Sequence, residues 1–259
     1  MINFKKYTTY VYRFVLFLTI IGLSACSSTG LRNTKVEAKK IAINGALSDD
    51  EKIENFITPY RTHINKDLDS VLAYAPETFD KSKGKWQTNI GNLMAGATFE
   101  RADKIFYMRE GKHIDVCLLN HGGIRATIPK GNVTTRTAYE IMPFENSAIV
   151  IALKGEQLKE MADYIARERK PHPLAGMRIV LDANGLVKNI SIQDKPLDLN
   201  RIYYVVTSDY LSGGGDSMTF FMTNSGSYSL DYKLRNLFID YFKEVDTLPT
   251  STLQRIVTE

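Results

Sequence analysis

Cysteine is scarce: the 259 residues hold two, Cys26 and Cys117. That excludes a disulfide-stapled miniprotein, and no Cys/His cluster offers a structural zinc site. An excess of one charge sign is also missing. Lys and Arg total 33 against 29 Asp and Glu, a net charge of +4, too weak a field to imply nucleic acid as a partner. Apolar runs of about 20 residues, the length that crosses a bilayer, are absent, which excludes a polytopic membrane protein. No internal repeat is present. Hydrophobic residues at 44% and charged residues at 24% are globular proportions, so disorder and collagen are excluded. The length suits one domain best, with two small ones as the alternative.

The N-terminus reads as an address. Lys5, Lys6 and Arg13 precede an apolar run over 14–23, the layout of a secretory signal. The run ends in Leu23-Ser24-Ala25-Cys26, similar to a bacterial lipobox, where small residues precede a cysteine that takes lipid and becomes the first mature residue. Residues 1–25 are then a lipoprotein signal peptide and Cys26 the lipidation site. An ordinary signal or short anchor, with Cys26 incidental, is the competing reading. Two or three acyl chains, at about 0.8 kcal/mol per buried methylene, would hold the chain firmly to a lipid membrane. Residues 26–47 are small and polar, a flexible linker. Ser27 after the cysteine points to the periplasmic face of a Gram-negative outer membrane. Cys117 lies in Asp115-Val116-Cys117-Leu118-Leu119, a buried-strand pattern that makes it a small core residue.

The domain proper is expected over 48–259. Ile53, Phe56, Ile57, Tyr60, Ile64, Leu68, Val71 and Leu72 recur at helical spacing, so an amphipathic helix is expected there, with Pro59 a bend or break. A Pro-, Lys- and Gly-containing loop follows over 76–85. Thr88–Ala97 reads as a capped helix entry, 114–119 as a buried strand and 120–125 as a tight loop. A short helix begins at Thr134. A strand over 147–153 turns at Lys154-Gly155 into a helix over 156–168. Strands over 177–182 and 187–192 flank Asn184-Gly185, a hairpin signal. A strand over 202–208 runs into a Gly-rich loop, and a helix over 231–245 closes the domain. Helices and strands are interspersed, so the class is α+β or α/β.

Three loops carry side chains with chemistry: Asn120 and Arg125 around Gly122 and Gly123; Phe144 and Asn146; Tyr210 and Asp216 around Gly214 and Gly215. Glycine after a strand allows close backbone approach. Convergence would bring together a cation, a carboxylate, two aromatic faces and several amide dipoles. A nucleoside or nucleotide suits that set. Its base stacks between rings, its ribose hydroxyls donate to a carboxylate, and an Arg takes an anion bidentately. Plain turns with a salt bridge would also account for the spacing. The Gly213–Asp216 run is no P-loop, since the Lys-Ser/Thr ending is missing.

Thr88-Asn89-Ile90-Gly91-Asn92-Leu93, Asn120-His121-Gly122-Gly123-Ile124-Arg125, Met142-Pro143-Phe144-Glu145-Asn146, Leu153-Lys154-Gly155-Glu156-Gln157-Leu158 and Ser212-Gly213-Gly214-Gly215-Asp216 occur in this order. The ordered set resembles the 5'-nucleotidase C-terminal domain family over about 50–250. The resemblance implies an α+β fold with α/β/β/α layers that grips a nucleotide, while a separate metallophosphoesterase domain cleaves the phosphate. It implies that Phe144 and Tyr210 sandwich the base. Tyr210 stands where Phe is frequent. It further implies that Asn146 contacts the base, Asp216 the ribose, and Asn120 and Arg125 the ribose and phosphate. The family often carries a further Arg at the position of Gly84. Here Lys83 and Lys85 flank that glycine, and neither is a bidentate fork. His121 stands where a small residue is usual.

The metallophosphoesterase motifs Asp-x-His, Gly-Asp-x-x-Asp, Gly-Asn-His-Asp/Glu and Gly-His-x-His do not occur in this chain. The four histidines, His63, His113, His121 and His172, are dispersed and read as surface or loop residues rather than metal ligands. No cofactor is expected in this chain, and any divalent metals belong to a partner. The expected function is the nucleotide- or nucleoside-binding half of a 5'-nucleotidase-type hydrolase in nucleotide catabolism, for AMP-like ligands. It would act with a separately encoded metallophosphoesterase and carry no catalytic residue of its own. Periplasmic capture of nucleotides without catalysis, or a relic domain kept for structure, are the alternatives.

Overall fold

The computed structural model describes residues 4–24, 33, 35–45 and 47–259. Cys26, and with it the lipidation reading, lies outside the described residues. Contacts divide the chain into two units between Ile53 and Glu54. The first contains helix α1 (Phe4–Ser24). No helix among the described residues is long and apolar enough to cross a membrane.

Helix α2 (Glu51–Leu68) opens on Asp50, whose Oδ1 accepts from the Lys52 and Ile53 amides at 2.9 and 3.2 Å. Two expectations about it are corrected. Pro59 does not break it: the proline costs one intrahelical bond, and the helix continues to Leu68. The helix also stops short of Val71 and Leu72. These belong to strand β1 (Val71–Ala75), where alternate residues Ala73 and Ala75 are buried. The apolar stripe of α2 is left uncovered, with Phe56, Tyr60 and Ile64 all exposed.

Helix α3 (Asn89–Glu110) starts where the Thr88 hydroxyl accepts from the Gly91 amide at 3.0 Å and ends on left-handed Gly111. Next come β2 (Val116–Leu118), β3 (Gly131–Thr134), α4 (Thr135–Ile141), β4 (Ser147–Lys154) and α5 (Gly155–Glu168). Strands β5 (Leu174–Ala175), β6 (Met177–Leu181), β7 (Val187–Ile192), β8 (Lys195–Pro196) and β9 (Ile202–Ser208) follow. The chain finishes with α6 (Asp209–Ser212), β10 (Gly226–Lys233), α7 (Leu234–Val245) and β11 (Ile256–Thr258).

The last helix begins at Leu234, not Asp231. Asp231 takes a left-handed φ of 48° at a bulge, and beyond it Tyr232 and Lys233 pair with Ala148 and Ser147 of β4. Strand pairing therefore holds these residues out of the helix.

The fold is α+β, in α/β/β/α layers. A central sheet has the order β10-β4-β9-β2-β5, a second sheet β11-β6-β7-β8, and β1 and β3 form a small ribbon. Period-two alternation sends Cys117, Val150 and Val206 to one face of the central sheet, into a core shared with Ile90, Met94 and Phe106 of α3 and Leu237 and Phe238 of α7. Val116, Leu118, Ile151, Leu153 and Val205 face the other way. They join Leu158, Met161 and Ile165 of α5 and Ile179, Leu181 and Ile190 of the second sheet. Cys117 is fully buried, as a core residue should be, and burial pushes its thiol far above the ordinary range.

Candidate functional site

Topology delivers three loops to one edge of the central sheet. Strands β2 and β9 are parallel neighbours, with Cys117 beside Val206. Asn120 and Tyr210 therefore leave the sheet at the same end. Strand β4 is antiparallel to β9, with Ala148 opposite Ser208, so the loop over 142–146 arrives there too. The loops enclose a cavity of about 450 Å³ lined by Asn120, Gly122, Gly123, Arg125, Phe144, Asn146, Tyr210 and Asp216. Every substrate-binding residue expected from the sequence except Gly214 and Gly215 lines it.

Asn120, two residues beyond β2, opens a 3-10 turn over His121–Gly123. Its Nδ2 donates to Asp216 Oδ2 at 2.7 Å, which ties the first loop to the third. A Cβ on Gly123 would lie 2.8 Å from Asn120 Oδ1, so glycine leaves room for that amide. The Arg125 amide donates to the Ile141 carbonyl at 3.0 Å. Its exposed guanidinium sits 5.9 Å from the centre of the Phe144 ring, within cation–π range.

The second loop is held from α7. Arg235 Nη1 donates to the Phe144 carbonyl at 3.3 Å, and Arg235 Nη2 pairs with the Glu145 carboxylate. Lys233 Nζ donates to the Glu145 carbonyl at 2.6 Å, and the Leu234 amide to the Asn146 carbonyl at 2.9 Å. The loop backbone is fixed while the Phe144 ring stays 39% exposed, free to meet a ligand face.

In the third loop the Ser208 hydroxyl caps α6 by accepting from the Leu211 amide at 3.2 Å. Gly214 has φ +87°, and a Cβ on Gly215 would lie 2.6 Å from the Tyr210 ring. These two glycines build the turn that carries Tyr210 and Asp216; they are not lining residues. Asp216 has a left-handed φ of 52°. The Tyr210 hydroxyl donates to Asp216 Oδ1 at 2.9 Å, and the Asp216 amide donates back to that oxygen at 3.2 Å.

Residues that carried no signal in the sequence also support the site. The Tyr164 hydroxyl, from α5, donates to the Asp216 carbonyl at 2.7 Å. The His121 amide donates to His172 Nδ1 at 3.3 Å, so the His172 ring proton sits on Nε2. Burial, then His121 nearby, pulls His172 down to about 4. Burial, then the Lys81 charge, lowers His121 as well. Both imidazoles are therefore neutral at pH 7. Lys81 donates to the Ile124 carbonyl at 2.6 Å. Lys83 and Lys85 do not line the cavity, and Lys85 lies over the Trp86 ring at 5.3 Å.

Among the described residues no three His, Cys, Asp or Glu side chains gather so as to hold a metal ion. The donor set among the described residues does not fit a dinuclear metal centre.

Residues 71–223, more than half of the chain, match the family described as 5'-nucleotidase, C-terminal domain, and the chain belongs to that family. Protein UshA of Yersinia enterocolitica is 26% identical over 186 residues, covering 69% of this chain and 32% of the relative. A 5'-nucleotidase of Vibrio vulnificus is 26% identical over 190 residues, covering 70% and 32%. The chain thus spans about a third of the length of these relatives. The 5'-nucleotidase precursor of Thermus thermophilus superposes with a TM-score of 0.67 at 24% identity, covering 82% of this chain and 44% of that one. That likeness shows the fold.

Proposed function

We propose that the chain is the nucleotide- or nucleoside-gripping part of a 5'-nucleotidase-type hydrolase and acts with a separately encoded metallophosphoesterase. One observation carries the reading: two exposed aromatic rings, a guanidinium, a carboxylate and two Asn amides line a single cavity of about 450 Å³. Phe144 and Tyr210 stack the base, Asn146 contacts its edge, Asp216 accepts from the ribose hydroxyls, and Arg125 with Asn120 takes the phosphate side. Rings supply base affinity of roughly 1–3 kcal/mol per stacked base. The names of the relatives support the substrate class. The hydrolytic step falls to the partner, whose metals would supply an activated water.

Calorimetry with AMP, adenosine and ribose 5-phosphate tests the reading. AMP and adenosine bind, and ribose phosphate binds far more weakly. Purified chain releases no phosphate from AMP with added divalent metal, and a co-purifying metallophosphoesterase restores release. Phosphate release by the chain alone would overturn the two-chain assignment, and absence of binding to any of the three would overturn the ligand class. The same proposal sets the chain in the bacterial envelope, anchored through lipid on Cys26. A Cys26→Ser chain should leave the membrane fraction.

A further inference from the structure

We infer that the Tyr210 hydroxyl is a positioning residue: it sets the Asp216 carboxylate for a vicinal diol and so couples sugar selection to the ring that stacks the base. The inference rests on the proposed nucleoside-binding reading and deepens it.

Stacking needs only a ring face, which a phenyl group would supply as well. The phenol oxygen here has another task. It accepts the Asp216 amide proton at 3.2 Å and lies 2.9 Å from Asp216 Oδ1. A phenol has one proton. With the amide donating inward, that proton must go to the carboxylate. The two contacts close a ring over 210–216 around Asp216, whose φ of 52° lies in the left-handed region that Asp enters more readily than most non-glycine residues. Tyr164 holds the same residue from the other side, on its carbonyl, at 2.7 Å.

Counting acceptor positions gives the consequence. An ionised carboxylate offers about four, two on each oxygen. Tyr210 occupies one on Oδ1 and Asn120 one on Oδ2. One therefore remains on each oxygen, and Asp216 lines the cavity. Two adjacent hydroxyls satisfy both. A 2'-deoxyribose leaves one without a donor. Without the phenol, the carboxylate can rotate away and the pairing with a diol is lost.

The experiment is calorimetric binding of adenosine and 2'-deoxyadenosine to the full chain. Wild type, Tyr210→Phe, Asp216→Asn and the double variant are compared, with thermal melts confirming that each is folded. Wild type should prefer adenosine by about tenfold or more, the worth of one hydrogen bond to a charged group. Tyr210→Phe should weaken adenosine, which brings two hydroxyls to the carboxylate, more than 2'-deoxyadenosine, which brings one, so that its preference for adenosine falls to roughly twofold. In the Asp216→Asn background the same change should leave the preference where it stands. Equal weakening of both nucleosides by Tyr210→Phe overturns the inference, as does an undiminished preference. Wild-type binding of both nucleosides without preference overturns the inference alone. Wild-type binding of neither overturns the binding reading and this inference with it.

Discussion

The Arg235 guanidinium donates to the Phe144 carbonyl at 3.3 Å and pairs with Glu145, so a residue 7% exposed at the start of α7 anchors the loop that presents an exposed ring. Its Cζ also lies 4.2 Å from the centre of the Tyr139 ring. Replacing Arg235 with Met keeps much of the volume and removes both donors. The Phe144 carbonyl and the loop lose their tether, at about 1–3 kcal/mol of stability. Denaturant unfolding and nucleoside binding should both weaken in Arg235→Met. Normal affinity in a destabilised variant would show that the tether does not position the ring.

Phe144→Ala separates binding from stability. The ring is 39% exposed, so truncation costs the fold little, while the lost stacking is roughly 1–3 kcal/mol. Adenosine affinity should fall about fivefold to a hundredfold, with a melting midpoint close to wild type. Unchanged affinity would sink the aromatic clamp.

Two neighbouring glycines should respond in opposite ways. A Cβ at Gly215 would lie 2.6 Å from both the Tyr210 ring and the Tyr210 carbonyl oxygen, whereas one at Gly213 meets nothing nearer than 3.7 Å. Gly215→Ala should therefore displace the ring and cost about 1–3 kcal/mol, with binding lost. Gly213 has a φ of −83°, open to any residue, so Gly213→Ala should be neutral or stabilising by up to about 1 kcal/mol. Parallel melts and binding isotherms check both.

Acid should loosen the site through His172. Its folded value of about 4 lies below its ordinary 6.5, so the neutral ring is favoured by folding. Such a group contributes its full stability above pH 6.5 and loses it as the pH falls toward 4, because the unfolded chain binds the proton first. The loss approaches about 3 kcal/mol. A protonated Nδ1 also cannot accept the His121 amide. The lowered His121 adds a loss of the same sign. Urea unfolding at pH 7, 6, 5 and 4 should show a smaller acid loss in His172→Gln than in wild type. Equal slopes would remove His172 from the account.

The candidate lining residues could be named because each chemical side chain stands beside glycines just after a strand, or in a short loop before one; that spacing also allowed plain turns, and the resemblance over five ordered motifs is what implied their convergence. Asn120, Arg125, Phe144, Asn146, Tyr210 and Asp216 all fit that pattern. Their supports were not legible. Tyr164 shares the apolar face of α5 with Leu158, Met161 and Ile165 and reads as core. His172 and Arg235 reach the loops from segments distant in sequence. Strand order was equally hidden, since pairings such as β2 with β9 join residues far apart in the chain. The stripe Phe56, Tyr60 and Ile64 has the period of a packed helix yet lies exposed. Periodicity gives a helix its face but not a neighbour to cover it.

Cys117 has a use of its own. It sits at the midpoint of β2, beneath the loop edge, with no exposed surface, and a thiol held protonated does not alkylate. In a chain carrying Ser at position 26, it is the sole sulfhydryl. Its rate of reaction with iodoacetamide would then be a clock that ticks each time the central sheet opens, and slowing of that clock by bound nucleoside would report occupancy without any attached dye.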